Sequence, residues 1–574
     1  LLVMILIGSV LEMVGVGVIL PLVTLFSDPN PLEVNSFLKR MHDWLKPEAQ
    51  MQFIVWILAS IALFYLVKNI YLFFIARMQA RFTQGLQHEL SCRLFQSYLS
   101  SPYEFHLNYN SSELLRNIKL VVTVVSGVLI PLIIAVTEFM IAFFIFFLLV
   151  WVDLTSAMLI TLGLGIFLWG YHFLTKTKMT LFGEDFKYHE GKTYQQVYQS
   201  FSSIKEIKIR GLEKFFNETF SSYVKKYTQA YSQATVFTQS GKFIFETVGV
   251  SVLLGVMVFS LSSGKNPSTA LATFSLFAVA LVRLMPTAGR LNWAFTQIKF
   301  GIPSLNEVFD QLKKCEKRIK EKSNQKIIAG KLIFEDQIEF CKVTYRYEGA
   351  EKLSLDSASF VIPKNSTVGL VGSSGAGKTT AVDLTLGLLK PLSGDIFVDG
   401  KDIHESLFSW QQQIGYVPQS IYLLDDTVRN NVAFGMEHLY ISDEKVWMAL
   451  RLAQLDFFVN ELPNGLDTLV GEDGVRLSGG QRQRIGIARA LYHEPQVVIM
   501  DEATAALDNE TECGFMSSIE ELYGERTIIL VAHRITTVEK CDTIFFFSDG
   551  RLIASGAYDF LLSTNPEFRQ MAQL

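Results

Sequence analysis

The sequence predicts two parts of different fold class: an α-helical membrane domain of six transmembrane helices, then an α/β domain with a phosphate-binding loop (P-loop). Charged residues make up only 19% of the 574-residue chain and apolar residues 49%, whereas soluble domains carry roughly 25% charged residues. Six long apolar runs lie in the N-terminal half. In the C-terminal half, Gly372–Thr380 has the spacing G-x-x-x-x-G-K-T between a β-branched run and a helical one. A wholly soluble protein is thereby excluded.

Each of the six apolar runs has the roughly 20 residues that a helix needs to cross a hydrocarbon layer. The first holds Glu12 as its only charge, and the third holds only Glu138. A tight turn is predicted at Asp153, between the third and fourth runs. The runs are 1–26, 51–76, 121–151, 154–174, 243–261 and one from about 269 to beyond Pro286.

The connecting segments predict the orientation, because cytoplasmic connections carry an excess of Lys and Arg. Segments 77–119 and 175–242 are long and basic, whereas the connections near Asp153 and Lys265 are short and poor in cations. Both ends of the six-span domain are therefore predicted to face the cytoplasm. The five cysteines show no CxxC spacing, which argues against a zinc site. A net charge of −5 gives no argument for a nucleic-acid partner.

An amphipathic helix is predicted over 34–46, between the first two apolar runs. Its polar face carries Lys39 and Arg40. Such a helix can lie in the outer membrane interface or pack on the ends of the spans, and the sequence leaves both open. The apolar residues that recur at helical spacing are Val34, Phe37, Leu38, Met41, Trp44 and Leu45.

Composition predicts the domain boundaries. The membrane domain is predicted over 1–311, and a basic helical segment that loosens at Ser323-Asn324-Gln325 forms a linker over 312–334. The α/β domain is predicted over 335–574, because short β-branched runs alternate there with helical patterns and Gly-rich turns. The chain starts with Leu1 inside an apolar run, which predicts that further residues precede it.

The loop after the predicted strand 368–371 has the residues that hold nucleotide phosphates. Its glycines let backbone N–H groups point at the phosphates, and the following helix N-terminus adds positive potential. Lys378 is predicted to reach the β- and γ-phosphates, and Thr379 to ligate Mg²⁺. The predicted phosphate-binding residues are Gly372, Ser373, Ser374, Gly375, Ala376, Gly377, Lys378, Thr379 and Thr380.

A second apolar strand, 497–500, ends in two carboxylates. Asp501 is predicted to belong to the magnesium shell, and Glu502 to act as general base toward the attacking water. Upstream, a loop before a helix predicted over 482–491 forms a second anion site. One nucleotide seldom needs two such sites from one chain, which predicts a dimer in which this loop covers the γ-phosphate on the partner's P-loop. The loop residues are Ser478, Gly479, Gly480 and Gln481.

These motifs, in this order, resemble those of ATP-binding-cassette (ABC) exporter half-transporters, and the resemblance covers the whole chain. It implies that Tyr347 stacks on adenine, that Gln419 contacts magnesium and water, and that His533 is the switch histidine beside Glu502. It implies ATP and Mg²⁺ as cofactors, with Thr379 and Gln419 as metal ligands, and a homodimer with head-to-tail cassettes. The residues Ala506-Leu507-Asp508 resemble the D-loop, and segments 103–115 and 203–211 resemble the two intracellular coupling helices.

Arginines at membrane depth are candidates for substrate contacts, because charge is costly there. Arg283 and Arg290 lie close to two helical turns apart on one face of the sixth span, with Pro286 between them. Arginine suits bidentate phosphate recognition. A second pair, Arg77 and Arg81, lies at the inner end of the second span. The alternatives left open are snorkelling to the interface and ion pairs with Glu12, Glu138 or Glu246.

The stretch 282–290 resembles the sixth span of PglK-type flippases, which move lipid-linked oligosaccharides, and the helix at 34–46 matches their external helix in position. The resemblance implies Arg81, Arg283 and Arg290 as substrate contacts and a polyprenyl-linked glycan as substrate. The sequence therefore predicts an ATP hydrolase that flips a lipid-linked oligosaccharide across a bacterial inner membrane, with its cassette in the cytoplasm. Two alternatives stay open: a lipid or multidrug exporter of the same architecture, and an ATP-gated channel or regulator.

Overall fold

The computed structural model divides into two compact units. The first comprises Leu1–Ser101 and Phe105–Ser323, and the second Pro102–Glu104 and Asn324–Leu574. The division after Ser323 falls within the segment 312–334. The residues that the structure describes are 1–27, 36–45, 47, 50–262, 267–324, 332–503, 509–532 and 534–572.

Among its described residues, the first unit contains helices and no strands. Six of its helical stretches are long and apolar enough to cross a membrane, as predicted. Three short or medium helices begin the chain and lead into the first long one. These are α1 (Leu2–Gly17), α2 (Ile19–Ser27), α3 (Ser36–Leu45), α4 (Gln50–Leu99), α5 (Tyr103–Asn108), α6 (Ser111–Val124), α7 (Ile130–Val152), α8 (Leu154–Ser202), α9 (Ile204–Arg210), α10 (Glu213–Ser262) and α11 (Pro267–Asn324).

The long helices continue well beyond their apolar runs. Helix α4 has 50 residues although its apolar run ends near Ala76, and α8 and α10 have 49 and 50 residues. The predicted helix over 103–115 is wrong as one element, because it breaks between α5 and α6. Asn110 is the N-cap of α6, with φ −73° and ψ 138°, and asparagine favours that non-helical position.

The turn at Asp153 is present and is held by its own side chain. The carboxylate of Asp153 accepts hydrogen bonds from the Thr155 N–H and the Ser156 hydroxyl, both at 3.1 Å. This is the N-cap interaction that begins α8. The third and fourth spans are therefore joined by a single non-helical residue.

Small residues let the long helices approach closely. A Cβ at Gly183 on α8 would lie 2.2 Å from the carbonyl oxygen of Phe300 on α11. On the other side of α11, a Cβ at Gly301 would lie 3.0 Å from the carbonyl oxygen of Gly127. Gly127 belongs to a π-helical turn, Val125–Leu129, between α6 and α7. Glycine is required at Gly183 because backbone atoms of the neighbouring helix leave no room for a side chain.

The amphipathic helix is present as α3, and the predicted positions Val34, Asn35 and Lys46 lie outside the described residues. Leu38 is buried in a cluster with Leu25, Phe53 and Ile57 on the adjoining spans. Trp44 is 81% exposed. The apolar face thus packs on the spans at Leu38, which favours the second of the two interpretations for that part of the helix.

The second unit contains two sheets. A four-stranded antiparallel sheet has the order β2-β1-β4-β5, and a six-stranded sheet has the order β10-β9-β3-β8-β7-β6. The strands are β1 (Gln337–Tyr345), β2 (Leu355–Pro363), β3 (Thr367–Gly372), β4 (Ser393–Val398), β5 (Lys401–Asp402), β6 (Ile414–Val417), β7 (Val497–Asp501), β8 (Thr527–Val531), β9 (Thr543–Ser548) and β10 (Arg551–Gly556). Strands β3, β7 and β8 are buried along their whole length, as expected for parallel strands covered on both faces.

Helices cover both faces of the six-stranded sheet. Trp410 anchors one face, since it is fully buried and its indole N–H donates to the carbonyl of Thr385 at 2.7 Å. The helices are α12 (Lys378–Thr385), α13 (Leu407–Gln411), α14 (Val428–Val432), α15 (Asp443–Leu452), α16 (Asp456–Glu461), α17 (Gly479–Leu491), α18 (Asn509–Glu520), α19 (Tyr558–Thr564) and α20 (Pro566–Ala572). Helix α17 begins three residues earlier than predicted, at Gly479.

Candidate nucleotide site

The P-loop joins β3 to α12, as its sequence predicts. Gly377 has φ +101°, and a Cβ there would lie 2.4 Å from the carbonyl oxygen of Ser354. A Cβ at Gly372 would lie 2.2 Å from the carbonyl oxygen of Phe547. These two glycines are therefore fixed by sterics, whereas Ser373, Ser374 and Gly375 are exposed on the outer side of the loop. The loop presents its backbone N–H groups at the N-terminus of α12, which is where phosphates bind.

Lys378 closes the inner side of the loop. Its ammonium donates to the carbonyl oxygens of Gly372 at 2.7 Å and Ser373 at 3.1 Å. Burial lowers the pKa of Lys378 from its usual value, while the charges of Glu502 and Asp501 act in the opposite direction. The ammonium therefore lies within electrostatic reach of both carboxylates of the acidic strand.

The acidic strand is not the direct neighbour of the P-loop strand, because β8 lies between them. Strands β3, β8 and β7 are parallel, so their carboxyl ends meet at one edge of the sheet. Asp501 is buried at 4% exposure there. Glu502, the next residue, is partly exposed with φ +51°. A positive φ is uncommon in a non-glycine residue and costs energy, and here it turns the Glu502 side chain away from the direction of the strand.

Gln419 and Glu502 meet at this edge. Gln419 follows β6, the strand beside β7, and its Nε2 donates to Oε2 of Glu502 at 2.6 Å. The sequence predicted both residues for the same reaction but gave no distance between them. The structure brings them into direct contact.

The oxygen donors at this edge fit a magnesium ion. Thr379 is exposed at the start of α12, and Asp501 and Gln419 add a carboxylate and an amide oxygen. Mg²⁺ is usually held by one or two protein carboxylates together with substrate phosphates rather than by an all-protein cage. Among the described residues, no group of three or more His, Cys, Asp or Glu side chains is placed to hold a metal ion.

Tyr347 lies beside α12, the helix that follows the P-loop. Its hydroxyl shares a hydrogen bond with Thr380 Oγ1 at 3.3 Å, and its ring meets Tyr345 edge to face at 5.1 Å. Burial raises the pKa of the Tyr347 hydroxyl. The ring is therefore held next to the P-loop helix, where an adenine-stacking residue is expected.

The signature loop forms a capping box at the start of α17. The Gln481 N–H donates to Oγ of Ser478 at 3.2 Å, and the Ser478 N–H donates to Oε1 of Gln481 at 2.9 Å. This reciprocal pair fixes the loop on a 13-residue helix. The residues Ala506-Leu507-Asp508 and His533 lie outside the described residues, so their predicted roles stay predictions.

A buried carboxyl on the P-loop helix was missed at the level of sequence. Asp383 lies in the second turn of α12 and is 7% exposed. Burial, reinforced by the charge of Asp501, raises the pKa of Asp383 to about 6. The signal in the sequence was an acidic residue inside an otherwise apolar helical stretch.

In the membrane unit, Arg283 belongs to a buried charge cluster that we call the Glu12 cluster: Glu12, Lys68 and Arg283. Arg283 Nη2 lies 2.8 Å from Glu12 Oε1, and Lys68 Nζ lies 3.2 Å from Glu12 Oε2. The side chains of Glu12 and Lys68 are each 7% exposed, and that of Arg283 is 30% exposed. Lys68 also lies 4.5 Å from the centroid of the Tyr65 ring. The cluster holds two cations and one anion.

Arg290 pairs with Glu138 through two nitrogens. Its Nε contacts Oε1, and its Nη2 donates to Oε2 at 3.0 Å. The Arg290 side chain is 42% exposed and that of Glu138 is 8% exposed. Both arginines of the sixth span therefore form ion pairs, which was one of the alternatives left open by the sequence. Arg81 is exposed on α4 and forms no ion pair with any other residue within the described part of the chain.

Comparisons with known proteins agree with this architecture. The sequence matches a family model described as "ABC transporter transmembrane region" over residues 18–285 and one described as "ABC transporter" over 355–505. A solved structure of a bacterial Atm1-family ABC exporter with ATP bound has a TM-score of 0.76 to this chain at 23% identity, covering 99% of this chain and 97% of that one. That likeness confirms the predicted fold.

Curated relatives include proteins named ATP-dependent lipid A-core flippase. The Pectobacterium atrosepticum protein is 36% identical over 326 residues, 56% of this chain and 55% of the relative. The Escherichia coli K12 protein is 36% identical over 342 residues, 56% of this chain and 58% of the relative. The chain thus matches just over half the length of these relatives.

Proposed function

This chain belongs to the ABC transporter family, and from that membership we propose that it hydrolyses ATP to move an amphipathic lipid across a membrane. The observation that carries the proposal is the contact between Gln419 and Glu502 at the sheet edge that also bears the P-loop. A base, a positioning amide and the phosphate-binding Lys378 then share one site. Such a site suits attack of water on a γ-phosphate.

The residues divide the chemistry among them. Lys378 and the backbone N–H groups of the loop hold the β- and γ-phosphates and stabilise the charge that develops on them. Glu502 accepts the proton of the attacking water, and Gln419 orients both water and carboxylate. Bound Mg²⁺ supplies further charge neutralisation, with Thr379, Asp501 and Gln419 as its protein ligands. The capping box of Ser478 presents the N-terminus of α17 to a γ-phosphate held by a second copy, in a head-to-tail homodimer.

The lipid substrate class rests on two arguments. The curated relatives are named lipid A-core flippases, and the membrane unit contains a buried cluster with more cations than anions. The Glu12 cluster has a net charge of +1, and Arg81 adds an exposed cation at the inner end of the second span. Both favour an anionic head group. We infer that the substrate is a lipid with a phosphate or carboxylate in its head group, moved across a bacterial inner membrane.

A lipid-linked oligosaccharide is the second candidate. It is favoured by the two arginines of α11 and by the external helix α3, which match PglK-type flippases in position. Because Arg283 and Arg290 pair with Glu12 and Glu138, a diphosphate must compete with a carboxylate for each arginine. If it does so, changing both arginines to Ala abolishes flipping and spares the ATPase activity, whereas Lys rescues only partly because it lacks the planar fork.

The deciding experiment is head-group translocation in proteoliposomes. Fluorescent phosphatidylglycerol, phosphatidylcholine and a polyprenyl-diphosphate saccharide are compared, each with ATP, without ATP and with the Glu502→Gln protein. We expect ATP-dependent translocation of an anionic lipid that Glu502→Gln abolishes. ATP-dependent ion flux without lipid movement would instead identify the channel alternative. Translocation of the saccharide lipid alone would select the second candidate.

A further inference from the structure

A cavity of about 440 Å³ opens between α7, α8 and α11 of the membrane unit. Aromatic side chains, among them Phe146 and Trp169, form much of its wall, and Gly165 leaves its surface open on α8. Its size lies within the range of roughly 300–1,000 Å³ that ligand sites occupy. The nucleotide chemistry does not use it.

The two hydroxyl groups of the lining donate to backbone carbonyls of their own helices. Thr161 Oγ1 donates to the Ala157 carbonyl at 2.7 Å, and Thr287 Oγ1 donates to the Arg283 carbonyl at 3.2 Å. Two side chains with ring nitrogens, His172 and Trp169, pack on aromatic neighbours: the His172 ring lies 5.5 Å from that of Phe295 and the Trp169 ring 5.9 Å from that of Phe173, centroid to centroid. A polar ligand would lose its hydrogen bonds to water without replacing them. The lining therefore selects a hydrocarbon.

The cavity lies at the depth of the hydrocarbon layer. Helices α7 and α8 meet at the turn of Asp153, and a helix rises 1.5 Å per residue. The lining from Phe146 to His172 then lies roughly 10–29 Å from that turn along the helix axes. A bilayer core is about 30 Å thick. The occupant must therefore be available inside the membrane, as the chain of a lipid is.

An ion pair borders the cavity on two helices. Phe139 and Leu291 line it, and each is next in sequence to a member of the Glu138–Arg290 pair. The Arg290 side chain is 42% exposed. An apolar cavity near a partly exposed arginine matches the two ends of an anionic lipid, provided that the lipid phosphate displaces Glu138 from Arg290.

We propose that this cavity binds one hydrocarbon chain of the lipid that the protein transports. This rests on the proposed function, since that function supplies the lipid. The hydrocarbon chain of the lipid moves from the bilayer into the cavity, while the lipid head group contacts cations of the membrane unit. Filling the cavity then weakens lipid binding without touching the nucleotide site.

Two glycines of α8 provide a matched test. Gly165 lines the cavity, Gly170 does not, and a Cβ at either position meets no atom within 4 Å. Gly163 is unsuitable, because a Cβ there would lie 3.0 Å from Val252. Gly165→Leu thus fills the cavity, and Gly170→Leu makes the same change on the same helix outside it.

The full-length protein is photolabelled in liposomes with phosphatidylglycerol that carries a diazirine midway along one acyl chain. We expect labelling of peptides from α7, α8 or α11 that Gly165→Leu lowers roughly tenfold or more, the effect of a poor fit in an apolar pocket, and that Gly170→Leu leaves unchanged. Gly165→Leu should also raise the KM for translocation of head-group-labelled phosphatidylglycerol by a similar factor, with basal ATPase activity unchanged.

Each other outcome overturns the proposal. Equal labelling of the two variants shows that no chain occupies the cavity. Loss of labelling with unchanged translocation assigns the cavity to a bulk membrane lipid. Loss of cross-linked dimer in Gly165→Leu assigns it to a second copy of the chain. Failure of the wild type to translocate any lipid refutes the proposed function, whereas normal wild-type translocation with an unaltered Gly165→Leu protein refutes only the cavity site.

Discussion

Replacing Glu12 by Gln is expected to destabilise the membrane unit more than replacing Lys68 by Met. Glu12 is the only anion of the Glu12 cluster, and its two carboxylate oxygens face Lys68 at 3.2 Å and Arg283 at 2.8 Å. Without the Glu12 carboxylate, the cations of Lys68 and Arg283 stay close together, and the Lys68 side chain is only 7% exposed. Without Lys68, the pair of Glu12 and Arg283 remains neutral.

The magnitude follows from this charge count. Removing one partner of a buried ion pair costs about 3–5 kcal/mol, because the other charge stays buried. At roughly 2–4 °C per kcal/mol, Glu12→Gln should lower the Tm by roughly 6–20 °C. Lys68→Met should cost about 1 kcal/mol, the usual loss for a single substitution that leaves no unpaired charge. The double variant should recover most of the loss, because the only cation left, Arg283, is 30% exposed.

A thiol-reactive fluorophore can measure these Tm values in detergent. Cys315 in the membrane unit and Cys541 in the second unit are the buried cysteines among the described ones. In a Cys541→Ala background, the exposure of Cys315 on heating reports the membrane unit. Equal losses for Glu12→Gln and Lys68→Met, or no recovery in the double variant, would refute the charge-count reasoning.

Three further predictions concern the dimer, the P-loop helix and helix packing. Mixing Lys378-defective with Ser478-defective chains should restore one ATP site per heterodimer, and nucleotide trapping no higher than in either homodimer would exclude the head-to-tail arrangement. Burial and the charge of Asp501 raise the pKa of Asp383 from 3.8 to about 6, so the ionised carboxylate destabilises the fold above pH 6. Asp383→Asn should therefore stabilise the second unit by up to about 3 kcal/mol at pH 8. That gain should fade as the pH falls from 6 to 4, as measured by hydrogen exchange of the sheet amides. Gly183→Ala should destabilise the membrane unit by about 1–3 kcal/mol, because the added Cβ would lie 2.2 Å from the Phe300 carbonyl oxygen. As the control, Gly170→Ala should leave the Tm unchanged or raise it, because a Cβ there meets no atom within 4 Å.

Local patterns were sufficient for the architecture. The six apolar runs predicted six spans because a span needs only length and hydrophobicity, both of which can be read along one stretch of chain. The P-loop was predictable for the same reason. The positive φ of Gly377 and the close approach of Ser354 leave the glycines no alternative, so spacing alone identifies the loop.

Helix lengths and breaks were predicted less well. The apolar run of α4 ends near Ala76, yet the helix continues to Leu99, because hydrophobicity marks the membrane and not the end of the helix. The break at Asn110 separates α5 from α6 where one helix was predicted. There the extended backbone of Asn110 interrupts the helical pattern on either side.

Contacts between distant residues were decided by the tertiary structure. Gln419 and Glu502 are 83 positions apart, Arg290 and Glu138 are 152 apart, and Lys68 and Glu12 are 56 apart. The sequence named the glutamates as possible partners of the arginines but missed Lys68. Spacing along one helix says nothing about which residue of another helix lies opposite, because that register depends on where the helices cross.

The sequence alone therefore determined the fold class and the identity of the phosphate loop, since both depend on short segments whose conformation is set by their own residues. The tertiary structure decided the order β3-β8-β7, the burial of Asp383 and the net positive charge of the Glu12 cluster. These depend on how helices and strands pack, and packing is fixed by close contacts such as that of Gly183 with Phe300. A charge in a sequence gains its energetic meaning only from the neighbours and the solvent exclusion that the packed structure gives it.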